Sequence, residues 1–90
     1  MAQTVTAEGQ IDHVLAYLIT EWEGLEEILT FDANSRLDYA VDWPLKTMAD
    51  ERLQTLIAQH GLTPAQQERY DHLRALQTQN APLLAQLLKS

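Results

Sequence analysis

The residues of this chain that could carry chemistry are mainly carboxylates, and they gather in its first half. Five acids and no base occur from Glu21 to Asp32. Carboxylates without nearby bases create a negative potential that attracts and orients a basic surface. The pattern therefore predicts that this chain binds a basic partner protein. An inhibitor, an adaptor or an antitoxin-like protein would have such a surface. The candidate partner-binding residues are Glu21, Glu23, Glu26, Glu27, Asp32, Asp38, Tyr39, Asp42 and Trp43.

Three of these acids occupy positions that a helix tolerates poorly. Glu23, Glu26 and Glu27 fall at the C-terminal end of the first predicted helix, where the backbone dipole is already negative. Glu23 and Glu27 are also a like-charge pair four residues apart on one helix face. A sequence that breaks local rules in this way often does so for a function, or with compensation elsewhere in the fold.

The net charge of −7 is divided very unevenly along the chain. Residues 1–43 hold nine acids and one base, a net charge of −8, whereas residues 44–90 hold four acids and five bases, a net charge of +1. Three interpretations of the acids stay open: internal neutralisation, a solvated face, or a docked basic partner. The bases that could neutralise them internally are Arg52, Arg69 and Arg74. The acidic balance argues against direct nucleic-acid binding, which needs a basic surface.

A second group of residues could support an enzyme. Glu68 precedes His72 by four residues, so the two share a helix face and could join carboxylates of the first helix in a metal or ligand site. A zinc site needs three or four ligands, however, and di-iron bundles use paired Glu-x-x-His motifs that this sequence lacks. The chain also has no cysteine. We therefore expect a non-enzymatic protein without metal or cofactor, and keep the Glu68/His72 enzyme as the alternative.

The elements that must position these residues are helices. Ninety residues are enough for one domain with one modest core, and apolar residues recur at steps of three and four throughout. This spacing predicts an all-α fold, a small antiparallel helical bundle spanning residues 1–90 as a single domain. Residues 1–6 are expected to be a loose N-terminal segment. The main helices are predicted at about 8–29, 45–60 and 64–79, and short helices at about 36–43 and 82–88.

Capping residues and prolines set the predicted boundaries. Ser35 resembles an N-cap for the helix at 36–43. That helix is expected to end or kink before Pro44, because the residue before a proline avoids the α conformation. Residues 63–66 (Thr-Pro-Ala-Gln) form a capping box that starts the last long helix. Whether this helix continues through Pro82 stays open.

The short helix at 36–43 has two apolar faces. Tyr39 and Trp43 lie on one face, and Leu37 and Val41 lie on the opposite face. Such a segment is either sandwiched in the core or displays one face to a partner, since aromatic residues are common at the centres of interfaces. The following helix is predicted to bury its own apolar positions, Leu45, Met48, Leu53, Leu56 and Ile57.

Two expectations concern location and assembly. The sequence has no apolar run near the length of about 20 residues that crosses a bilayer, and its first ten residues lack the pattern of a signal peptide. We therefore expect a cytoplasmic protein that does not bind membranes. The apolar stripe of the first helix, about 33 Å long, is long for so small a bundle. A single bundle would leave part of this apolar stripe of the first helix uncovered. We therefore also expect a homodimer, in which a second copy covers that part.

Overall fold

The computed structural model describes residues 6–89, and these residues form four α-helices. They are α1 (Ala7–Glu23), α2 (Leu25–Ile28), α3 (Ala33–His60) and α4 (Pro64–Lys89). The predicted all-α helical bundle is confirmed. The longest helix is α3, whose 28 residues extend about 42 Å at 1.5 Å per residue. The long helix of this molecule is therefore α3, and not the first helix as the sequence suggested.

Polar contacts show that α1 and α4 run in the same direction. Gln66, near the start of α4, donates to the backbone carbonyl of Glu8 near the start of α1. Asn80, further along α4, donates to the carbonyl of Trp22 near the end of α1. Residue numbers rise together along the two helices, so their starts lie at the same end of the molecule.

The helix between them, α3, runs in the opposite direction. Gln54 contacts Tyr70 of α4, whereas the earlier residue Asp50 contacts the later residue Gln77. Numbers that fall along one helix as they rise along the other define an antiparallel pair. The connection of residues 61–63 is short enough to join such neighbours directly.

Two clusters of buried side chains hold the helices together. The first cluster joins α1, α3 and α4 and consists of Ile11, Leu15, Leu18, Leu53, Leu56 and Leu73. The second cluster joins α2, the first half of α3 and the end of α4, and consists of Leu25, Ile28, Trp43 and Leu87. Trp22 packs against both clusters. Each buried leucine or isoleucine stabilises the fold by about 1.5–3 kcal/mol, so the clusters account for the packing of all four helices.

The predicted first helix, 8–29, is interrupted at Gly24. Regular helix ends at Glu23, and α2 begins one residue after the glycine. Gly24 has φ −78° and ψ −8°, and its N–H still donates to the carbonyl of Thr20 at 3.1 Å. Glycine has a weak helix propensity, so the regular helix gives way at this residue.

The start of α1 is capped by Thr6. Its hydroxyl Oγ1 accepts the backbone N–H of Gly9 at 3.0 Å, which satisfies one of the free donors of the first turn. The expectation of a loose segment at residues 1–6 otherwise concerns residues 1–5, which lie outside the described residues.

The prediction of a separate helix at 36–43 is wrong, because α3 is continuous from Ala33 to His60. Its N-cap is Asp32, whose Oδ1 accepts the N–H of Ser35 at 2.8 Å, so Ser35 lies inside the first turn. The helix continues through Pro44 although an interior proline costs about 3 kcal/mol. Trp43 and Lys46 are buried on either side of this proline, and their packing outweighs the local cost.

The question that the sequence left open at Pro82 has a clear answer, because α4 runs continuously through this proline and joins the predicted segments 64–79 and 82–88. Asn80 donates to the carbonyl of Trp22 at 2.9 Å, and Leu87 is fully buried in the second cluster. These contacts before and after the proline hold the helix in one piece. The capping box at 63–66 is confirmed by two reciprocal hydrogen bonds between Thr63 and Gln66, at 3.0 and 3.2 Å.

Candidate functional site

The predicted partner-binding residues gather around the second hydrophobic cluster, where α1 ends and α3 begins. Leu25 and Ile28 of α2 pack in this cluster with Trp43 of α3, so α2 and the first half of α3, which carry most of these acids, lie next to each other. Four of these acids have exposed side chains on α2 and on the first half of α3. We call this set the acidic surface: Glu26, Glu27, Asp38 and Asp42.

Two of the other acids have partners from the second half of the chain. Glu21 lies 3.7 Å from Nζ of Lys46, and Glu23 lies 3.4 Å from Nε2 of His72. The Glu21 pair is largely buried, which strengthens its attraction, whereas the Glu23 pair is about half exposed and contributes little. The Lys46 contact neutralises Glu21, whereas the imidazole of His72 offsets the charge of Glu23 only when it is protonated.

The three arginines expected to neutralise the cluster have other partners. Arg52 donates to Gln10 at 3.4 Å, and Arg69 pairs with Asp12 at 3.3 Å. Arg74 lies 3.6 Å from Asp50 and donates to the hydroxyl of Tyr70. None of these three arginines therefore pairs with an acid between Glu21 and Asp32 in the described part of the chain.

Lys46 is the residue of this end that the sequence reasoning missed. Its side chain is buried, and its ammonium lies 5.3 Å from the ring centroid of Trp43 and 6.0 Å from that of Tyr17. Trp43 in turn meets Trp22 edge to face at a centroid distance of 5.3 Å. A lysine held by one carboxylate and two aromatic rings stabilises the junction of α1 and α3. The only feature of the sequence that could have indicated this contact is the spacing of Lys46 from Trp43. Residues three apart lie on the same helix face.

Asp32 has a structural role. The backbone N–H of Ser35 donates to its carboxylate and holds the pKa of Asp32 below its usual value of 3.8. The Ser35 hydroxyl, the N–H of Asn34 and the charge of Arg36 act in the same direction. Because this carboxylate already accepts hydrogen bonds from the first turn of α3, it acts as the N-cap of that helix. We therefore do not include Asp32 in the acidic surface.

Tyr39 and Trp43 have different environments. Trp43 is buried in the second cluster, as core packing predicts. Tyr39 is exposed and lies against Phe31, with ring centroids 5.9 Å apart. The structure therefore leaves Tyr39 accessible and removes Trp43 from any direct contact surface.

The prediction that Leu45 and Met48 are buried is wrong. Leu45 is 59% exposed and Met48 is 63% exposed. Leu37 and Val41 are similarly exposed, at 54% and 68%. Because α3 continues through Pro44, the two predicted helices share one phase, and Trp43 and Lys46 define the inward face. Steps of four, four and three residues then place the remaining apolar positions on the opposite, outward face. We call this row the apolar stripe: Leu37, Val41, Leu45 and Met48.

The residues of the enzyme alternative form a simple, open arrangement. His72 contacts Glu23 of the first helix, while Glu68 is exposed on the surface of α4. Among residues 6–89, no group of three His, Asp or Glu side chains could hold a metal ion. A single carboxylate–imidazole contact in solvent offers neither the ligand number of a metal site nor a shielded site for acid–base chemistry.

A groove of about 700 Å³ lies between α1 and α3. Its size is in the range of small-ligand sites, but it is open and mixes apolar with polar side chains. The lining residues are Gly9, Gln10, His13, Val14, Tyr17, Ala49 and Arg52. Neither Glu68 nor His72 lines it, so it gives no support to the enzyme alternative as predicted.

The comparisons with known proteins add no constraint. No protein-family profile, curated protein or solved structure matches this chain. In the part of the chain that the structure describes, no helix combines the length and the apolar character needed to cross a bilayer.

Proposed function

We propose that this protein is a non-enzymatic interaction module that binds a basic surface of another protein through the acidic surface of Glu26, Glu27, Asp38 and Asp42. One observation carries the proposal. All four carboxylates are exposed, and none forms an ion pair within residues 6–89.

The pairing of the bases explains why these acids are left over. Lys46, Arg69 and Arg74 each contact a different acid, and those three acids lie outside the acidic surface. The internal ion pairs thus involve other acids and leave the four carboxylates of the acidic surface without an ion-pair partner among the described residues. Such an arrangement raises the association rate of a positively charged partner and orients it before contact.

The salt dependence of binding tests this proposal. A lysine-rich peptide is the probe, and its binding is measured by fluorescence anisotropy between 0.05 and 0.5 M salt, where the Debye length falls from about 14 to about 4 Å. Exposed pairs contribute about 0.2–1 kcal/mol each, so the loss of four of them predicts a fall in affinity of roughly fourfold or more over this range. An affinity for the peptide that does not change with salt concentration would contradict the proposal.

Three further expectations remain proposals. We propose a cytoplasmic location, which suits a chain without cysteine. The homodimer and the Glu68/His72 enzyme stay predictions. A light-scattering mass near 10 kDa at all concentrations would exclude the dimer, and stoichiometric metal in the purified protein would favour the enzyme.

A further inference from the structure

The apolar stripe of α3 contains four of the large apolar side chains that the fold leaves exposed within residues 6–89. Its four side chains are each more than half exposed, while Trp43 and Leu53 on the inward face of the same helix are buried. The stripe runs from Leu37 to Met48, which is about 16 Å along the helix axis. Single exposed apolar residues are ordinary, but a continuous row on one helix face is typical of a contact surface.

The spacing of the stripe indicates the shape of what it contacts. Steps of three and four residues along one helix form a ridge that packs against another helix, or into a groove between helices. Helical segments are recognised in this way when they carry their own apolar residues at the same spacing.

The charges beside the stripe indicate the sign of the partner. Asp38 and Asp42 directly follow Leu37 and Val41, so they border the stripe on one side, and both are exposed. Arg52, four residues after Met48, is the base that bounds its other end. Lysine or arginine side chains flanking an apolar face would meet the two aspartates at the Leu37 end.

The same charges disfavour a second copy of this chain as the occupant. A two-fold pair of antiparallel α3 helices would bring Asp38 and Asp42 of both copies to the same edge, where like charges repel. Each copy also carries a net charge of −7. A stripe one helix wide and about 16 Å long covers far less than the roughly 800 Å² per partner of a stable dimer, so apolar contact would not offset this repulsion.

We infer that the apolar stripe binds an amphipathic helix of the basic partner, with that helix's apolar residues on Leu37, Val41, Leu45 and Met48 and its basic residues beside Asp38 and Asp42. The inference rests on the proposed function, because it takes the partner to be basic. It adds that the partner is recognised by a helix face as well as by charge.

Two synthetic peptides test it. Both contain the same leucines and lysines in eighteen residues or so, about five helical turns. In the first peptide the leucines recur at steps of three and four, and in the second they are shuffled so that they share no face. At 0.15 M salt we expect the first peptide to bind at least about tenfold more tightly, since it alone can place leucines along the stripe.

Two leucine substitutions locate the effect. Leu45→Ser removes a side chain of the stripe, whereas Leu88→Ser removes a leucine on α4 with similar exposure, 52% against 59%. Both are surface positions, so both variants keep the helical circular-dichroism spectrum of the wild type. L45S is expected to abolish the difference between the two peptides, and L88S to preserve it.

The other outcomes of these experiments would contradict the helix inference, or both the helix inference and the proposed function. Equal, salt-sensitive binding of both peptides, unchanged by L45S, would remove the helix inference and leave the proposed function intact. No binding of either peptide at 0.05 M salt would remove both. A wild-type mass near twice 10.2 kDa that L45S returns to the monomer would assign the stripe to a second copy.

Discussion

At the scale of single residues, the acids of the first half divide into those that the fold uses and those that it leaves free. Asp32 caps α3, and Glu21 holds the buried Lys46. Glu26 and Asp42 have exposed side chains and form no ion pair among residues 6–89. A net charge alone does not separate these roles, because it counts a capping carboxylate and a free one equally.

The two glycines that bound helices predict opposite effects of alanine. Gly24 has an ordinary φ, and an added Cβ would lie no closer than 3.5 Å to Thr20 O, so Gly24→Ala is expected to stabilise the protein by about 0.4–1 kcal/mol. Gly61 has φ 73° and ψ −175°, a conformation that suits glycine alone, so Gly61→Ala is expected to cost about 1–3 kcal/mol. Urea unfolding of the two variants measures both. Stability changes of the same sign would show that Gly24 or Gly61 has a different backbone conformation in solution.

Asp32 predicts a pH dependence of stability. Its pKa is lowered in the folded protein by the N–H of Ser35, so its ionised form favours folding above the unfolded pKa. That contribution is lost as the pH falls through the folded pKa, below about 4. Asp32→Asn keeps a good N-cap without a titrating group. The stability difference between wild type and D32N should therefore shrink from pH 6 to about pH 2, as followed by urea unfolding. A difference that does not change with pH would mean that Ser35 does not favour the ionised form.

At the scale of helices, a feature could be predicted from the sequence when the contacts that determine it join residues close together in the chain. The capping box of Thr63 and Gln66 was predictable, because both partners lie within one helical turn. The continuity of α3 was not, because it depends on Trp43 meeting Trp22 of another helix. The exposure of Leu45 followed from that continuity and was missed for the same reason. The acids were identified from the sequence, but Lys46 as a partner of Glu21 required the fold.

Two prolines in helices predict different effects of alanine. Pro44 lies in the interior of α3, where it provides no N–H for the carbonyl of Ala40, while Pro64 lies at the first position of α4, where no N–H is needed. Pro44→Ala is expected to stabilise the protein by about 1–3 kcal/mol. Pro64→Ala is expected to destabilise it slightly, because proline there restricts the unfolded chain. Thermal unfolding compares the two variants, and a loss of stability in P44A would mean that α3 is not a continuous helix in solution.

At the scale of the whole molecule, the fold turns a difference along the chain into a difference across the surface. The second half supplies most of the bases, and three of them, Lys46, Arg69 and Arg74, form ion pairs with acids outside the acidic surface. The acidic surface is left at the α2–α3 end, next to the apolar stripe. One end of the molecule thereby combines free negative charge with exposed apolar side chains, which are the two properties of a surface for a basic, amphipathic partner.

The most direct test compares two variants with the same change in net charge. One neutralises the acidic surface, Glu26→Gln, Glu27→Gln, Asp38→Asn and Asp42→Asn. The other neutralises four exposed acids elsewhere, Glu8→Gln, Glu51→Gln, Glu68→Gln and Asp71→Asn. Binding of the lysine-rich peptide at 0.05 M salt is measured for both. We predict a loss of about tenfold in affinity for the first variant and only about two- to threefold for the second. Equal losses would contradict a partner site at the α2–α3 end and would leave only a general attraction to net charge.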